Sequence, residues 1–172
     1  MVHAFCKAIH ERKGMFRSTG SIGVYFNIND PKNVSKNLDS LTILKNETIN
    51  TKTVELASVY ECLSSVLTNH SMEEDPYTLH IYTDSKYAIR ALVHGLPRWE
   101  KTQYKYAFGC YVRNYALIRS INQLLSSCEL AGIHVNFHYY KSLDRAQLSS
   151  SQSDSDIWEK CLWALRLAEN AH

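Results

Sequence analysis

The sequence predicts one α/β domain on a mixed five-stranded sheet, an antiparallel three-stranded meander plus parallel strands, with helices on both faces. Three observations carry that expectation. Roughly the first forty residues hold short β-branched and aromatic runs broken by turn residues. From Thr53 the apolar spacing changes to a helical period. Beyond that helix, strand-like and helix-like runs alternate, as crossover connections require.

The elements follow in order. Residues 2–6, 21–26 (SIGVYF) and 40–44 (SLTIL) read as strands, with turn chemistry at Gly20, 27–31 and 45–50. In TVELASVYECLSSVL, Leu56, Tyr60, Leu63 and Leu67 recur at helical spacing. TLHIYT is a strand with Leu79 and Ile81 on one side, closed by Asp84-Ser85. Residues 86–94 read as a helix stopped at Gly95 and Pro97. A longer helix spans 111–128, with Val112, Tyr115, Ile118 and Leu125 on one face, and Ile133, Val135 and Phe137 alternate as a last strand. A mobile loop is expected near 144–155, where SSSQSDS is poor in apolar residues. The final helix, 156–168, turns Trp158, Leu162 and Leu165 to one side. No internal repeat or linker interrupts residues 1–172, so a single domain is expected.

Composition narrows the class. Apolar residues make up 45% and charged residues 21%, which excludes fibrous and largely disordered chains. A formal charge of +2 argues against a surface that is basic all round. The five cysteines lack CxxC spacing, and neither a signal peptide nor a membrane-length apolar run is present; the expectation is an intracellular protein, nuclear or cytoplasmic, with no membrane association. Without a secretion signal the sequons at Asn33, Asn46 and Asn69 read as chance matches.

The most specific stretch is LHIYTDSKYAIRAL. It places Asp84 at the carboxyl end of a sheet strand, where open α/β sheets hold their ligands. Asp-Ser after a strand is equally an ordinary helix cap. The stretch resembles the YTDS segment of eukaryotic ribonuclease H1. SIGVYFNINDPKNVSKNL is similar to that family's second strand and turn, and TKTVELASVYECL to its first helix. Trp99, Tyr104, Lys105, Gly109, Val112 and Asn114 fall without a gap on its tryptophan- and lysine-containing segment, the basic protrusion that grips the DNA strand. Tyr104 stands where the family usually has a second tryptophan.

The resemblance implies a two-metal phosphodiesterase site with four carboxylates converging on paired Mg²⁺ ions. Glu55 and Asp84 match the second and third, and the fourth falls on Asp156 or Asp154, with Asp156 preferred because Trp158 and Leu162 then set the helix phase. The first is missing. Counted back from Ile22-Gly23-Val24, the family's TDG falls on Cys6-Lys7-Ala8, and no acid precedes Glu11. Lys7 therefore replaces the bridging carboxylate, or Cys6 does if the register shifts by one residue. An ammonium between Glu55 and Asp84 supplies charge that a metal would otherwise bring, so no metal or other cofactor is expected, Mg²⁺ being required only if the site were an active, reorganised one. The loop in which the family carries an assisting histidine has Ser142 and no glycine, and His138 reads as a strand end. The phosphate-contacting loop retains Asn50, Thr51 and Lys52.

Between residues 86 and 119 seven Lys/Arg face one acid, Glu100, and aromatics are interleaved. That composition fits a backbone-gripping surface, and equally a solvated basic helix face over core aromatics. The candidate nucleic-acid contacts are Trp99, Lys101, Tyr104, Lys105, Asn114, Asn50 and Lys52. On the last helix Ile157, Trp163 and Leu167 fall off the core stripe and form a candidate protein interface. The expected function is thus an inactive pseudonuclease acting as a protein–protein adaptor in an RNA- or chromatin-related assembly, with an unidentified protein partner and residual affinity for RNA or RNA/DNA hybrids. The alternatives are an active hybrid endoribonuclease and a hybrid-binding protein that does not cleave.

Overall fold

The computed structural model describes residues 1–13, 17–45, 47–71, 75–141 and 152–171. Strands β1 (Val2–Lys13), β2 (Arg17–Tyr25) and β3 (Val34–Asn37) form the meander. Helix α1 (Thr51–Thr68) leads to β4 (Tyr77–Thr83). Helices α2 (Lys86–Ile89), α3 (Leu96–Lys101) and α4 (Tyr115–Leu130) then precede β5 (Ile133–Tyr139) and α5 (Gln152–Glu169). The sheet order is β3-β2-β1-β4-β5. β1 pairs antiparallel with β2 and parallel with β4, and β4 pairs parallel with β5, which makes the sheet mixed as the pattern of runs requires.

Both faces of the central strand are covered, so its residues alternate between two cores. Ala4 and Cys6 join Ile22, Val24, Leu56, Leu63, Leu79, Ile81, Ile118 and Ile121 beneath α1 and α4. Phe5 points the other way, into a smaller core with Tyr25, Cys161 and Ala164 under α5. Gly23 lets α5 approach: a Cβ there would collide with the Ala164 carbonyl oxygen and lie 2.6 Å from the Ala168 nitrogen. Ser21 and Ser35 donate hydroxyl hydrogen bonds to the Ala168 and Leu167 carbonyls, tying the end of α5 to β2 and β3.

Several boundaries differ from the sequence expectation. Residues 40–44 are not a strand. Two 3₁₀ turns, Leu38–Ser40 and Thr42–Leu44, occupy that stretch. Leu41 and Leu44 are buried three residues apart, and the Asn37 side chain caps Ser40. The third strand is instead the polar VSKN at the sheet edge. Gly95 and Pro97 do not stop the second helix. The chain passes through a π-helical stretch, Arg90–Gly95, into α3, with Gly95 leaving room for the Trp99 ring and Pro97 in the first turn of α3, where its missing N–H costs little. The next helix starts at Tyr115 and not at 111. Asn114 adopts φ 58°, and Tyr111 is bridged to Lys105. α5 begins at Gln152, so the expected loop overlaps it; the remainder of 144–155, and Ser142, lie outside the described residues.

Candidate functional site

α1 opens on a reciprocal cap. The Asn50 side chain accepts from the amides of Lys52 and Thr53, and the Thr53 hydroxyl accepts from the Asn50 amide. This start puts Glu55 near the carboxyl end of β4 and the middle of β1, beside Ser85, Asp84 and Lys7. Asp84 follows the last residue of β4, and Ser85 caps α2 by accepting from the Ala88 amide at 3.0 Å. The same hydroxyl donates to Glu55 Oε2 at 2.5 Å. The cap and the carboxylate contact are therefore two roles of one serine.

The parallel ladder pairs Cys6 with Thr83. Lys7 is the next residue, level with Asp84, and its ammonium donates to Asp84 Oδ2 in an ion pair. The two side chains are 19% and 20% exposed. Cys6 is fully buried in the main core. The residue meeting Asp84 is thus Lys7, and Cys6 lies on the other face.

Glu55 is held above the usual carboxylate range, chiefly because burial penalises its charge and also because Asp84 is near; the Ser85 hydroxyl, Lys7 and Lys52 act against the rise. Behind the pair, Tyr140 and Cys161 were not anticipated from the sequence. Burial pushes the Cys161 thiol up to about 12, and it raises the Tyr140 phenol as well. Both lie close enough to feel the Asp84 charge.

Asp156 is paired with Lys160 one turn on, at 2.9 Å, and its side chain is 63% exposed. None of its described contacts reaches Glu55 or Asp84. The Asp154 side chain is outside the described residues. The donor set does not fit a pair of divalent cations. Among the described residues no group of three or more His, Cys, Asp or Glu could hold a metal ion. One of the two converging carboxylates is already neutralised by an ammonium.

The candidate nucleic-acid residues divide in two. Trp99 and Tyr104, expected at the surface, pack against the main core, and the Tyr104 hydroxyl accepts from Asn122 at 3.1 Å. Tyr104 is buried, and Trp99 is half-buried with its ring against Gly95; together they prop up the segment. Asn114 donates to the Tyr87 hydroxyl, and Lys52 lies over the Tyr87 ring at 5.2 Å. Lys101 is exposed, and Lys105 sits 5.1 Å over the Tyr111 ring. The aromatics that reach solvent are Phe108 at 96% exposure, Tyr106, Tyr111 and Tyr115.

The helix phase expected for α5 is also corrected. Ile157 and Leu167 pack on the smaller core, because Cys161, Ala164 and Ala168 are the residues that face the sheet. Trp163 alone of the candidate interface stays at the surface, stacked on Tyr25 with Arg166 over its ring. His138 is no isolated strand end. It meets His80 at 2.8 Å between ring nitrogens, and His80 stacks on His3 across β4 and β1.

A meander leading into two parallel crossovers, with an aspartate at the end of β4 and a glutamate on α1, defines an α/β domain of the ribonuclease H type. The RNase H family model matches residues 12–145, and the chain belongs to that family. The match begins past Lys7. A ribonuclease H from Schizosaccharomyces pombe is 28% identical over 127 residues, covering 74% of this chain. The chain spans 42% of the length of that relative. Among solved structures, the RNase H domain of prototype foamy virus superposes with a TM-score of 0.64 at 15% identity, covering 98% of this chain and 92% of the other. LC9-RNase H1, described as a type 1 RNase H with the type 2 active-site motif, gives a TM-score of 0.63 at 15% identity over 98% and 70% of the two chains. These structural likenesses concern the fold. No helix among the described residues is long and apolar enough to cross a membrane.

Proposed function

We propose that this chain is a catalytically silent ribonuclease H domain that binds RNA/DNA hybrids without cleaving them. The observation that carries the reading is the Lys7–Asp84 ion pair, in which an ammonium stands where hydrolysis would need a further carboxylate. A bound cation would have to displace that ammonium and leave it unpaired beside two metal charges. Binding is supported by the protruding segment, where Lys101, Arg98 and Arg113 are exposed beside Phe108, Tyr106 and Tyr111. The adaptor role rested on α5, where Ile157 and Leu167 pack half-buried on the smaller core and Trp163 stays at the surface.

The test is incubation of the purified chain with a labelled RNA/DNA hybrid and Mg²⁺ or Mn²⁺. The expected result is a retained, intact hybrid whose affinity does not change when the cations are chelated. Cleavage that Asp84→Asn abolishes would instead make the chain an active nuclease with a reorganised site. A chain that neither cuts nor retains the hybrid would favour the adaptor reading, in an RNA- or chromatin-related assembly, over hybrid binding.

A further inference from the structure

The two edges of the sheet are finished differently. β3 is short and polar, carries Lys36, and is tied to α5 through Ser35. β5 (IHVNFHY) runs for seven residues without a lysine, an acid or a proline, the residues that commonly blunt an edge. Among the described residues β4 alone pairs with it. The Gly132 carbonyl accepts from the Tyr77 amide, and the Tyr140 amide donates to the Thr83 carbonyl, each at 3.1 Å. Backbone groups alternate sides along a strand, so those of His134, Asn136 and His138 turn toward β4. The amides and carbonyls of Ile133, Val135, Phe137 and Tyr139 point outward, with no hydrogen-bond partner among the described residues. Beside this edge a groove of about 410 Å³ is walled by Leu92, Val93 and Leu125 opposite Val135 and Phe137.

The order of residues along β5 is self-complementary. Turned end for end about Asn136, the strand sets Ile133 against Tyr139, His134 against His138, Val135 against Phe137, and Asn136 against itself. In this register the outward-pointing residues face one another, so each such pair exchanges both of its amide hydrogen bonds. A slip of one residue would set outward groups against inward ones, and a slip of two would leave an outward residue unmatched. Each apolar pair joins a β-branched side chain to an aromatic one, a favourable cross-strand combination. The facing Asn136 amides can donate and accept reciprocally, and no Lys, Arg, Asp or Glu of the strand meets its like. We propose that β5 is the pairing edge of a homodimer, antiparallel across a two-fold axis at Asn136, which joins two sheets into one. Val93 and Leu125 then meet apolar side chains of the second copy. The association is weak, with a Kd of about 10 µM, because a single strand pair covers little surface. It is independent of hybrid binding.

Sedimentation velocity of the whole chain between about 1 and 500 µM should show a monomer passing into a dimer. Asn136→Lys and Asn136→Asp each set like charges across the axis and should weaken association about tenfold or more, while melting close to the parent chain. An equimolar mixture of the two variants sets opposite charges there and should recover the dimer, which a merely damaged strand would not do. A dimer indifferent to both substitutions, or a mixture no more associated than either variant alone, would overturn the proposal. So would a chain still monomeric at about 500 µM, and the edge would then be left to an extended strand of another protein.

Discussion

Lys7 and Asp84 are 77 residues apart in sequence, and their contact decides how the site behaves. Replacing Lys7 by Ala leaves Asp84 four-fifths buried and unpaired beside Glu55, and should destabilise the fold by about 1–3 kcal/mol, read from urea midpoints. Lys7→Asp restores an acid between Glu55 and Asp84. It should be less stable than the parent in chelator and recover stability with saturating Mg²⁺ or Mn²⁺; no cation-dependent gain in melting temperature would mean the charge at position 7 is not what bars a metal. Glu55 has a raised pKa in the folded chain, so its contribution is fully present below the ordinary glutamate value and is lost as pH rises through the folded value. Glu55→Gln should therefore melt above the parent at pH 8 and match it near pH 4. The histidines work the other way. Burial and the neighbouring His80 lower His3 and His138, so their contribution is present above the ordinary histidine value and lost as pH falls through the lowered one. His138→Asn should flatten the decline in stability between pH 7 and pH 5.

At the scale of elements, α5 depends on one close approach. Gly23→Ala would push a methyl into the Ala164 carbonyl and should cost about 2 kcal/mol or more, with hydrogen exchange accelerating first in α5. The segment between α3 and α4 is an outward loop propped by Trp99 and Tyr104, and its exposed aromatics lie beyond them. A double change, Phe108→Ala with Tyr106→Ala, should leave the melting temperature nearly unchanged and weaken hybrid binding by about 2 kcal/mol or more; unchanged affinity would remove this loop from the contact surface. Much of this scale was legible in the residues. The helical period from Leu56 to Leu67 and the alternation in Ile133, Val135 and Phe137 mark real elements. The third strand was not legible. VSKN has one buried residue, Val34, and as an edge strand it pairs only with β2, so it carries too little apolar pattern to be seen.

The whole molecule divides its charge unevenly. Residues 86–119 carry +6 within a chain of +2, so the remainder is net −4. Nucleic acid should therefore meet one face and be repelled elsewhere, and the logarithmic salt dependence of hybrid affinity should have a slope of about −3 to −5, as for a handful of phosphate contacts. The sheet sets that geometry by placing α1 and α4 on one face and α5 on the other.

Composition, apolar period and the four family-like segments together pointed to the α/β class, the mixed sheet and the family, because each is written locally in adjacent residues, while the third strand and α3 were not read. That no acid precedes Glu11, and that a lysine stands at position 7, was legible too. Only the tertiary structure decided that Lys7 meets Asp84 while Cys6 enters the core, because a strand's side chains alternate and one residue of slip between β1 and β4 would exchange them. The packing of half-buried Ile157 and Leu167 on the smaller core, and of Trp99 and buried Tyr104 on the main one, likewise depends on which surface each element is pressed against, and no local pattern specifies that.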